Sequence, residues 1–556
     1  MKRREFIATT IAGGSALLAT STPTWGRKLL SLMPTLQGVD SRIEVLTAEP
    51  VGTIAPEIYG HFAEHLGGVV YDGIWVGENS KIPNVGGIRK ALVDAFQKIK
   101  PSVVRWPGGC FADSYDWRDG IGPRDKRPRR TNFWVDAQEW PKNAPNGPWK
   151  YDTNQFGTDD FLKFCKLTGA QPYLAANLRS LTAKDFYQWV EYCNSPAGTT
   201  TLGDMRADRD GVKVRYWGVG NESWGCGGNF TPEEYAAEYR RFTAWTPRYG
   251  VDLAFVGSGP NGADLDWTRR FFSKLNERRA LGAMWGWAMH HYSWNVSGGR
   301  TNEWTQGKGD AVNYNEEEWY ELLHEADKID GMIADCWNVM GETDRAHRVK
   351  LVVDEWGAWY KPGTEVDNTH LLGQQSTIRD AVLAGQTLDT FHRHADKVGM
   401  AAIAQLVNCL QALFLTHEDK FIVTPTYHVF DMYRVHQGKT ALRTVVTSPR
   451  PGYTRNGKPA TLRGLNGSSS LDGKRLVLTV TNADLKTTRE TEIAVRGASI
   501  KSVKGTALTA SDMKEHNSFA DPNRIAPRDV PVTMTGNALV YKFPPASVTR
   551  LDIELS

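Results

Sequence analysis

The feature that most constrains the fold of this chain is a short apolar run that ends in polar residues and recurs eight times. The runs lie at 57–67, 102–109, 171–178, 214–222, 252–260, 285–292, 350–357 and 401–408. Amphipathic stretches between them, most clearly at 87–100, 157–169 and 231–245, are typical of helices. Apolar strands that alternate with helices predict a parallel sheet covered on both faces. Eight such units predict a closed (β/α)8 TIM barrel.

The alternative for the same pattern is an open, doubly wound sheet. That fold commonly carries a G-x-G-x-x-G turn after its first strand, and this chain has none there. The pattern therefore favours the barrel. Thr231 and Glu234 also form a capping-box pattern, which predicts a helix start at this point.

The pattern of apolar and polar residues changes after Pro425. Runs at 475–484, 491–497 and 538–555 alternate apolar and polar residues without helices between them, which predicts an antiparallel β-sandwich. Residues 41–54 share this pattern. We therefore predict a strand at 41–53 contributed to the sandwich, a catalytic barrel at 54–425 and a C-terminal sandwich at 426–556.

Residues 1–40 are predicted to be an export signal with a flexible lead. Arg3 and Arg4 precede a mildly apolar run from Phe6 to about Ala19, and this pattern resembles a Tat signal. A basic N-terminal stub is the alternative. The expected location is periplasmic or secreted, with cleavage somewhere between residues 20 and 40. No later apolar run is long enough to predict a membrane span.

Composition excludes some classes of partner. The chain has 66 basic and 63 acidic residues in an interspersed pattern, so no nucleic-acid partner is expected. Its 20 tryptophans suit either stacking on sugar rings or a large aromatic core. Its six cysteines show no C-x-x-C and no metal-ligand spacing, so we expect no metal. Tat cargo normally folds before export in a reducing compartment, so we expect mostly buried free thiols. One disulfide remains open, because the expected destination is oxidising.

Polar residues stand at the predicted carboxyl ends of the strands. Barrel enzymes place their catalytic groups at this end. A single polar residue there is commonly a capped strand end, whereas a convergent set predicts a site. The set is Glu64, Arg105, Asn177, Asn221 with Glu222, Ser258, His290 with Tyr292, Glu355, and Gln405.

Two glutamates stand out in this set. Glu222 follows the fourth strand in "YWGVGNESWG" and Glu355 ends the seventh in "VDEWG", so they face each other across the barrel mouth. Two facing carboxylates suit glycoside hydrolysis, in which one protonates the leaving oxygen and the other attacks the anomeric carbon or activates water. Asp354 competes with Glu355. Alternation along a strand lets only one of them face the mouth, and Glu355 lies nearer the strand end.

Six ordered motifs, spread over residues 54–435, carry a resemblance to a known family. They are "IYGHFAEHLGGVVYDGIW", "RWPGGCFADSYDWRDGIGPRDKRP", "YWGVGNESWGCGG", "VDEWGAWY", "AQLVN" and "TPTYHVFDMY". The chain resembles glycoside hydrolase family 51, the α-L-arabinofuranosidases, and within it a subgroup with "GGCFAD". This resemblance implies a retaining double displacement, with Glu222 as general acid/base and Glu355 as nucleophile. Retention predicts carboxyl groups about 5–5.5 Å apart.

The resemblance also implies a set of substrate-binding residues. Glu64 would bond sugar hydroxyls, Asn221 would hold the 2-OH, and Arg105 would lie near the nucleophile. Tyr292 would bond the nucleophile, and Gln405 would bind substrate. His290, rather than His291, shares the face of Tyr292 by alternation. Cys110 replaces an asparagine common in the family, and it either lines the furanose pocket or is a core thiol.

The implied activity is exo-acting removal of arabinofuranosyl groups from arabinan, arabinoxylan or their oligosaccharides. An endo-β-1,4-glucanase or another furanosidase on the same site, and a catalytically inactive sugar-binding protein, are the alternatives. No cofactor is implied. Members of the family are often oligomers, so a homo-oligomer is open.

Overall fold

The computed structural model of the chain describes residues 39–136, 151–208, 213–300, 308–364, 366, 370–535 and 538–556. The predicted export segment lies outside the described residues up to position 38. The described chain contains a closed eight-stranded barrel and a ten-stranded sheet.

The barrel confirms the predicted alternation of strands and helices. Its strands pair in parallel and follow each other around the barrel in chain order. Each comes from one of the eight predicted apolar runs. The first to eighth barrel strands are Gly60–Phe62, Val103–Trp106, Gln171–Ala176, Tyr216–Val219, Ala254–Gly257, Met284–Ser293, Lys350–Ala358 and Val398–Ala404.

The helices start where the sequence offers capping groups. At the start of α5 (Pro232–Thr243), the backbone N–H of Thr231 donates to Glu234 at 2.8 Å and the N–H of Glu234 donates back to the threonine hydroxyl at 3.4 Å. No helix among the described residues has the length and apolar character needed to cross a membrane. The helices are α1 Lys90–Lys98, α2 Thr158–Thr168, α3 Ala183–Asn194, α4 Thr201–Asp204, α5 Pro232–Thr243, α6 Leu265–Asn276, α7 Glu316–Asp327, α8 Ile329–Thr343, α9 Ile378–Arg393 and α10 Pro425–Tyr433.

The ten-stranded sheet is antiparallel apart from one pair. Ser41–Thr53 pairs antiparallel with Thr440–Thr447 and parallel with Arg489–Arg496. The predicted strand 538–555 is two strands, because the chain turns at residues 544–546. The remaining strands of the sheet are Leu465–Asp472, Arg475–Asn482, Ile500–Leu508, Arg528–Val530, Thr533–Thr535, Ala538–Phe543 and Ser547–Leu555.

Short elements complete the described chain. Two-stranded antiparallel sheets pair Asn84–Val85 with Ile88–Arg89, Arg130–Thr131 with Tyr151–Asp152, Phe414–His417 with Lys420–Val423, and Gly452–Arg455 with Lys458–Thr461. The 3-10 helices are Pro56–Tyr59, Ala112–Ser114, Trp117–Gly120, Arg124–Lys126, Phe133–Asp136, Ala280–Ala283 and Arg434–His436.

The barrel interior separates an apolar floor from a polar mouth. Inward-facing side chains from seven strands form a separate apolar cluster: Val103, Tyr173, Tyr216, Ala254, Val256, Ala288, Val352 and Met400. Two positions further along their strands, Arg105, His290 and Asp354 point the same way by alternation. Of the two roles expected for the tryptophans, sugar stacking or an aromatic core, six have the core role because they are fully buried: Trp106, Trp117, Trp217, Trp287, Trp319 and Trp356.

Candidate active site

The predicted catalytic pair meets at the barrel mouth. One side-chain oxygen of Glu222, one of Glu355 and a ring nitrogen of His290 all lie within 4.8 Å of one another. The Glu222 side chain is 21% exposed and that of Glu355 is 7% exposed. One carboxylate is therefore open to solvent and its partner is nearly enclosed.

Glu355 is held by two donors. Arg105 Nη1 donates to Oε1 at 2.6 Å, and the Tyr292 hydroxyl donates to Oε2 at 2.7 Å. Burial lowers the pKa of Arg105. The negative charges of Asp354 and Glu355 raise that pKa by more than burial lowers it, so the guanidinium keeps its charge. Both contacts stabilise a negative charge on the Glu355 carboxylate.

Glu222 stands on a strained turn after the fourth strand. Gly220 has a φ of 80° and Glu222 a φ of 38°, in the left-handed region that a non-glycine residue adopts only at a cost. The turn points the carboxylate into the mouth, where Oε1 lies 2.9 Å from His290 Nδ1.

A disulfide between Cys110 and Cys226 packs against the other oxygen of this glutamate. The two sulfurs lie 3.9 Å and 3.6 Å from Glu222 Oε2. Cys110 is thus not a core thiol, and as half of a disulfide it lies beside Glu222. The other four cysteines are buried thiols. The disulfide joins the loop after the second strand to the loop after the fourth.

Two positions beside the carboxylates have room only for glycine. A side chain at Gly108 would meet Glu64 Cγ at 2.5 Å, and one at Gly109 would meet Glu355 Oε1 at 2.8 Å. The glycine pair of "RWPGG" thus lets the backbone approach both carboxylates.

Glu64 lies near Glu355 in a buried position. Its Oε1 accepts the backbone N–H groups of Gly109 and Phe111 at 3.1 Å and 3.0 Å, and Gln405 Nε2 donates to its Oε2 at 3.3 Å. Burial and the charge of Glu355 raise the pKa of Glu64 to about 7.

Asn221 is oriented by its neighbours. Arg105 Nη2 donates to its side-chain oxygen at 2.6 Å, which leaves the amide Nδ2–H as the group to offer a ligand. The buried Asp113 accepts the backbone N–H of Asn221 at 3.1 Å. Although its backbone hydrogen bonds oppose the effect, burial raises the pKa of Asp113 to about 7.

Both acids of "VDEWG" reach the mouth, contrary to the alternation argument. Asp354 lies 3.4 Å from Arg105 Nε and 3.2 Å from His290 Nε2. Glu355 contacts different nitrogens of the same two residues, Nη1 of the arginine and Nδ1 of the histidine. The reason is a register shift between Val353 and Trp356 in the pairing with the eighth strand. His290 faces the site as expected, whereas His291 Nε2 lies 2.9 Å from a backbone oxygen of α7.

The structure brings together all nine predicted site residues, but two other strand-end residues bond to a neighbouring loop and to a helix instead. Asn177 donates to the Tyr115 carbonyl and to Ser180, and the Ser258 N–H donates to Tyr235. The residues that sequence reasoning did not assign to the site are Asp354, Tyr173, Asp113 and Cys226. Only Asp354 had a signal, its place beside Glu355. The others depend on loop paths and on inward-facing positions that the motifs do not encode.

Neither of the two groups of metal-type donors within the described residues suits a cation. The first combines Glu222 with Cys110 and Cys226, whose sulfurs are bonded to each other and offer no thiolate. The second is Glu222, His290 and Glu355. The positive charge of Arg105 already lies 2.6 Å from the carboxylate of Glu355, where it would repel a cation.

Known proteins resemble the chain over most of its length. Family models described as the "Alpha-L-arabinofuranosidase 1 domain" and the "Alpha-L-arabinofuranosidase C-terminal domain" match residues 95–301 and 354–547. An "Intracellular exo-alpha-L-arabinofuranosidase" of Bacteroides ovatus is 36% identical, over 90% of this chain and 93% of its own. A crystal structure of the GH51 arabinofuranosidase of Xanthomonas axonopodis pv. citri superposes with a TM-score of 0.84 at 33% identity, over 93% of this chain and 100% of that chain.

These relatives contradict the predicted export. The Bacteroides ovatus protein is named intracellular, as is an "Intracellular exo-alpha-(1->5)-L-arabinofuranosidase" of Streptomyces lividans, which is 26% identical over 88% of this chain and 72% of its own. The prediction of a Tat-like signal with a periplasmic or secreted location is therefore wrong. Two arginines before a weakly apolar run rich in Gly, Ala and Thr are a short compositional pattern, which by itself does not specify export.

Proposed function

The chain belongs to glycoside hydrolase family 51, the α-L-arabinofuranosidases, and we propose that it is a retaining, exo-acting member of that family. It removes terminal arabinofuranosyl groups from arabinan, arabinoxylan or their oligosaccharides. The observation that carries this proposal is the approach of Glu222 and Glu355 to within 4.8 Å in one mouth. Such a separation leaves no room for a water between a base and the anomeric carbon, which an inverting enzyme needs.

In the first step, a carboxylate oxygen of Glu355 bonds the anomeric carbon. Glu222 gives its proton to the glycosidic oxygen, whose bond to the anomeric carbon breaks. In the second step, Glu222 takes a proton from water as the water oxygen bonds the same carbon and the ester to Glu355 breaks. Two inversions leave the anomeric configuration unchanged.

The remaining site residues fit the binding of one sugar ring. Asn221 offers an amide N–H, because its oxygen already accepts from Arg105. Glu64 and Gln405 offer acceptor and donor groups beside the backbone of Gly109 and Phe111. The Cys110–Cys226 disulfide presents an apolar surface next to Glu222.

The test is hydrolysis of a panel of nitrophenyl furanosides and pyranosides, with the anomer of the first product followed by proton NMR. We expect turnover of the α-L-arabinofuranoside and a first product of unchanged configuration. A first product of inverted configuration would contradict the retaining mechanism.

Natural substrates test the exo mode separately. With linear and branched arabino-oligosaccharides we expect arabinose as the first product. Release of larger internal fragments would instead support the endo-acting alternative.

Azide tests the roles of the two glutamates. With azide, Glu222→Ala should give the glycosyl azide of retained configuration and Glu355→Ala the inverted one, because azide attacks the covalent intermediate only in the first variant.

A further inference from the structure

His290 meets a carboxylate at each ring nitrogen. Its Nδ1 lies 2.9 Å from Glu222 Oε1 and 3.4 Å from Glu355 Oε2. Its Nε2 lies 3.2 Å from Asp354 Oδ1, an ion-pair distance without a well-aligned hydrogen bond. Ionised carboxylates only accept hydrogen bonds, and a protonated carboxyl group keeps an acceptor oxygen, so the ring can donate to all its neighbours when both nitrogens carry protons.

Asp354 is ionised and enclosed. Its side chain is 2% exposed, Tyr173 donates to Oδ2 at 2.8 Å, and Arg105 Nε lies 3.4 Å from the same oxygen. Although burial raises the pKa of Asp354, Arg105 and His290 lower it to about 2. The carboxylate therefore presents a constant negative charge to the imidazole ring.

The surroundings of His290 favour its cationic form. Although burial lowers the pKa of His290, the carboxylates of Glu355, Asp354 and Glu222 raise it to about 10. The charged and titratable groups near the ring come from six barrel strands and their ends. They are Glu64, Arg105, Tyr173, Glu222, Tyr292, Asp354 and Glu355.

We propose that Asp354 is a positioning residue that keeps His290 an imidazolium cation throughout the reaction, so that the Nδ1–H serves whichever catalytic glutamate carries the negative charge. This inference rests on the proposed double displacement. Asp354 acts through His290, and its own contacts are with that ring, Arg105 and Tyr173.

The double displacement moves one negative charge back and forth between the glutamates. Before the first step Glu355 is ionised and Glu222 holds the proton. When the ester forms and the proton passes to the leaving oxygen, the charge resides on Glu222. When water gives its proton to Glu222 and the ester breaks, the charge returns to Glu355. A single N–H that lies 2.9 Å and 3.4 Å from the two carboxylates can follow this charge by a small tilt of the ring.

Kinetics of Asp354→Asn test the proposal through its pH dependence. The amide keeps the shape of the side chain but removes the charge, so the pKa of His290 falls toward its ordinary value. We expect the alkaline limb of kcat/KM to move to lower pH by about one pH unit or more, so that the loss at about pH 8 exceeds the loss at about pH 5 by about tenfold. An equal loss at every pH would indicate a merely structural role and overturn the proposal.

Tyr173→Phe is the matched control. It removes the hydroxyl that donates to Asp354 but no charge, and it lies on the same inward face. We expect its alkaline limb to stay where that of the wild type lies. A limb that moves as far as in Asp354→Asn would assign the effect to lost packing and contradict the role of the charge.

Histidine NMR of the wild-type full chain tests the charge without any change at Asp354. With ¹³Cε1-labelled histidine, the resonance missing in His290→Gln identifies His290 among the 13 histidines. We expect it to stay at the imidazolium position up to about pH 8, whereas titration near the ordinary value of about 6.5 would overturn the proposal. The product-anomer assay reports separately on the double displacement, so the two failures are distinguishable.

Discussion

Two clusters of Asp and His side chains in this molecule differ in ionisation: the groups of one are charged, and those of the other are neutral. The mouth cluster, at the carboxyl ends of the barrel strands, contains Arg105, Glu222, His290, Asp354 and Glu355. The interface cluster lies between α9 and the ten-stranded sheet and contains Asp389, His392, His436, Ser468 and Thr479. In the mouth cluster His290 is a cation and Asp354 an anion.

The interface cluster is arranged for neutral forms. Ser468 and Thr479 donate to Asp389 Oδ1 at 2.7 Å and 2.6 Å, and His392 Nδ1 lies 2.8 Å from the Ser468 hydroxyl. Burial raises the pKa of Asp389 to about 7, although these hydroxyls oppose the effect. Burial also lowers the pKa of His392 and takes that of His436 to about 3.

The difference between the clusters lies in the partners of the imidazole rings. Hydroxyl groups donate or accept, so a neutral histidine is satisfied among them, whereas carboxylates only accept and require a protonated ring. Arg105 then stabilises the surplus negative charge in the mouth. Burial is common to both clusters, and only the mouth couples charged groups to a partly open carboxylate.

Removal of Glu355 is the largest expected disruption of the mouth cluster. We expect Glu355→Ala to lower turnover of an aryl α-L-arabinofuranoside by at least about 10⁴-fold, because no ester can form. The thermal unfolding midpoint, measured on the same sample, controls for folding. Turnover within about tenfold of wild type would remove Glu355 from the nucleophile role.

Removal of Glu222 should depend on the substrate. A nitrophenolate leaves with little acid assistance, so Glu222→Ala should lose about 10²–10⁴-fold more in kcat/KM on an arabino-oligosaccharide than on the nitrophenyl arabinofuranoside. The wild-type ratio of the two rates is the reference. An equal loss on both substrates would contradict the general-acid role.

The mouth cluster has a covalent support that the interface cluster lacks. The Cys110–Cys226 bond joins two residues that lie 116 positions apart in the chain, and it packs against Glu222. We expect Cys110→Ser combined with Cys226→Ser to cost about 2–5 kcal/mol in the free energy of unfolding and to lower activity several-fold, most on poor leaving groups. A dithiol reductant, which takes the two sulfurs to thiols and is itself oxidised to a disulfide, should have the same effect.

Cys165→Ala is the control for this variant. Cys165 is a free, fully buried thiol of α2. Its loss should leave the ratio of rates on poor and good leaving groups as in wild type. If the double variant also leaves that ratio unchanged, the disulfide does not support Glu222.

The two clusters also differ in how far the sequence predicts them. The carboxyl ends of parallel barrel strands all meet at one mouth, so polar strand ends such as Glu64, Arg105 and Gln405 could be grouped before any coordinates were known. Strict alternation lets only one of Asp354 and Glu355 face the mouth, and it does not anticipate the register shift between Val353 and Trp356 that brings both there. Side-chain pattern therefore locates the mouth but not its internal contacts.

The disulfide and the interface cluster carried weaker signals. Cys110 and Cys226 lie in loops whose approach no spacing encodes. The members of the interface cluster are spread over α9, a 3-10 helix and two sheet strands, at irregular intervals. The sheet was predictable from period-2 alternation, whereas its docking on α9 depends on tertiary packing. The export prediction failed because residues 1–40 offer composition and no packing pattern.

Asp389→Asn should have the smallest effect on catalysis and bears on the neutral state of the interface cluster. The carboxyl of Asp389 has a folded-state pKa of about 7, above its ordinary value of 3.8, so it stabilises the fold at low pH and this contribution is lost as pH rises through about 7. The amide does not titrate. We therefore expect turnover equal to wild type, similar stability at about pH 4, and a smaller loss of stability than wild type between about pH 4 and about pH 8. Chemical unfolding at several pH values measures this slope, and a variant that loses stability more steeply than wild type would mean that Asp389 is ionised, as Asp354 is in the mouth.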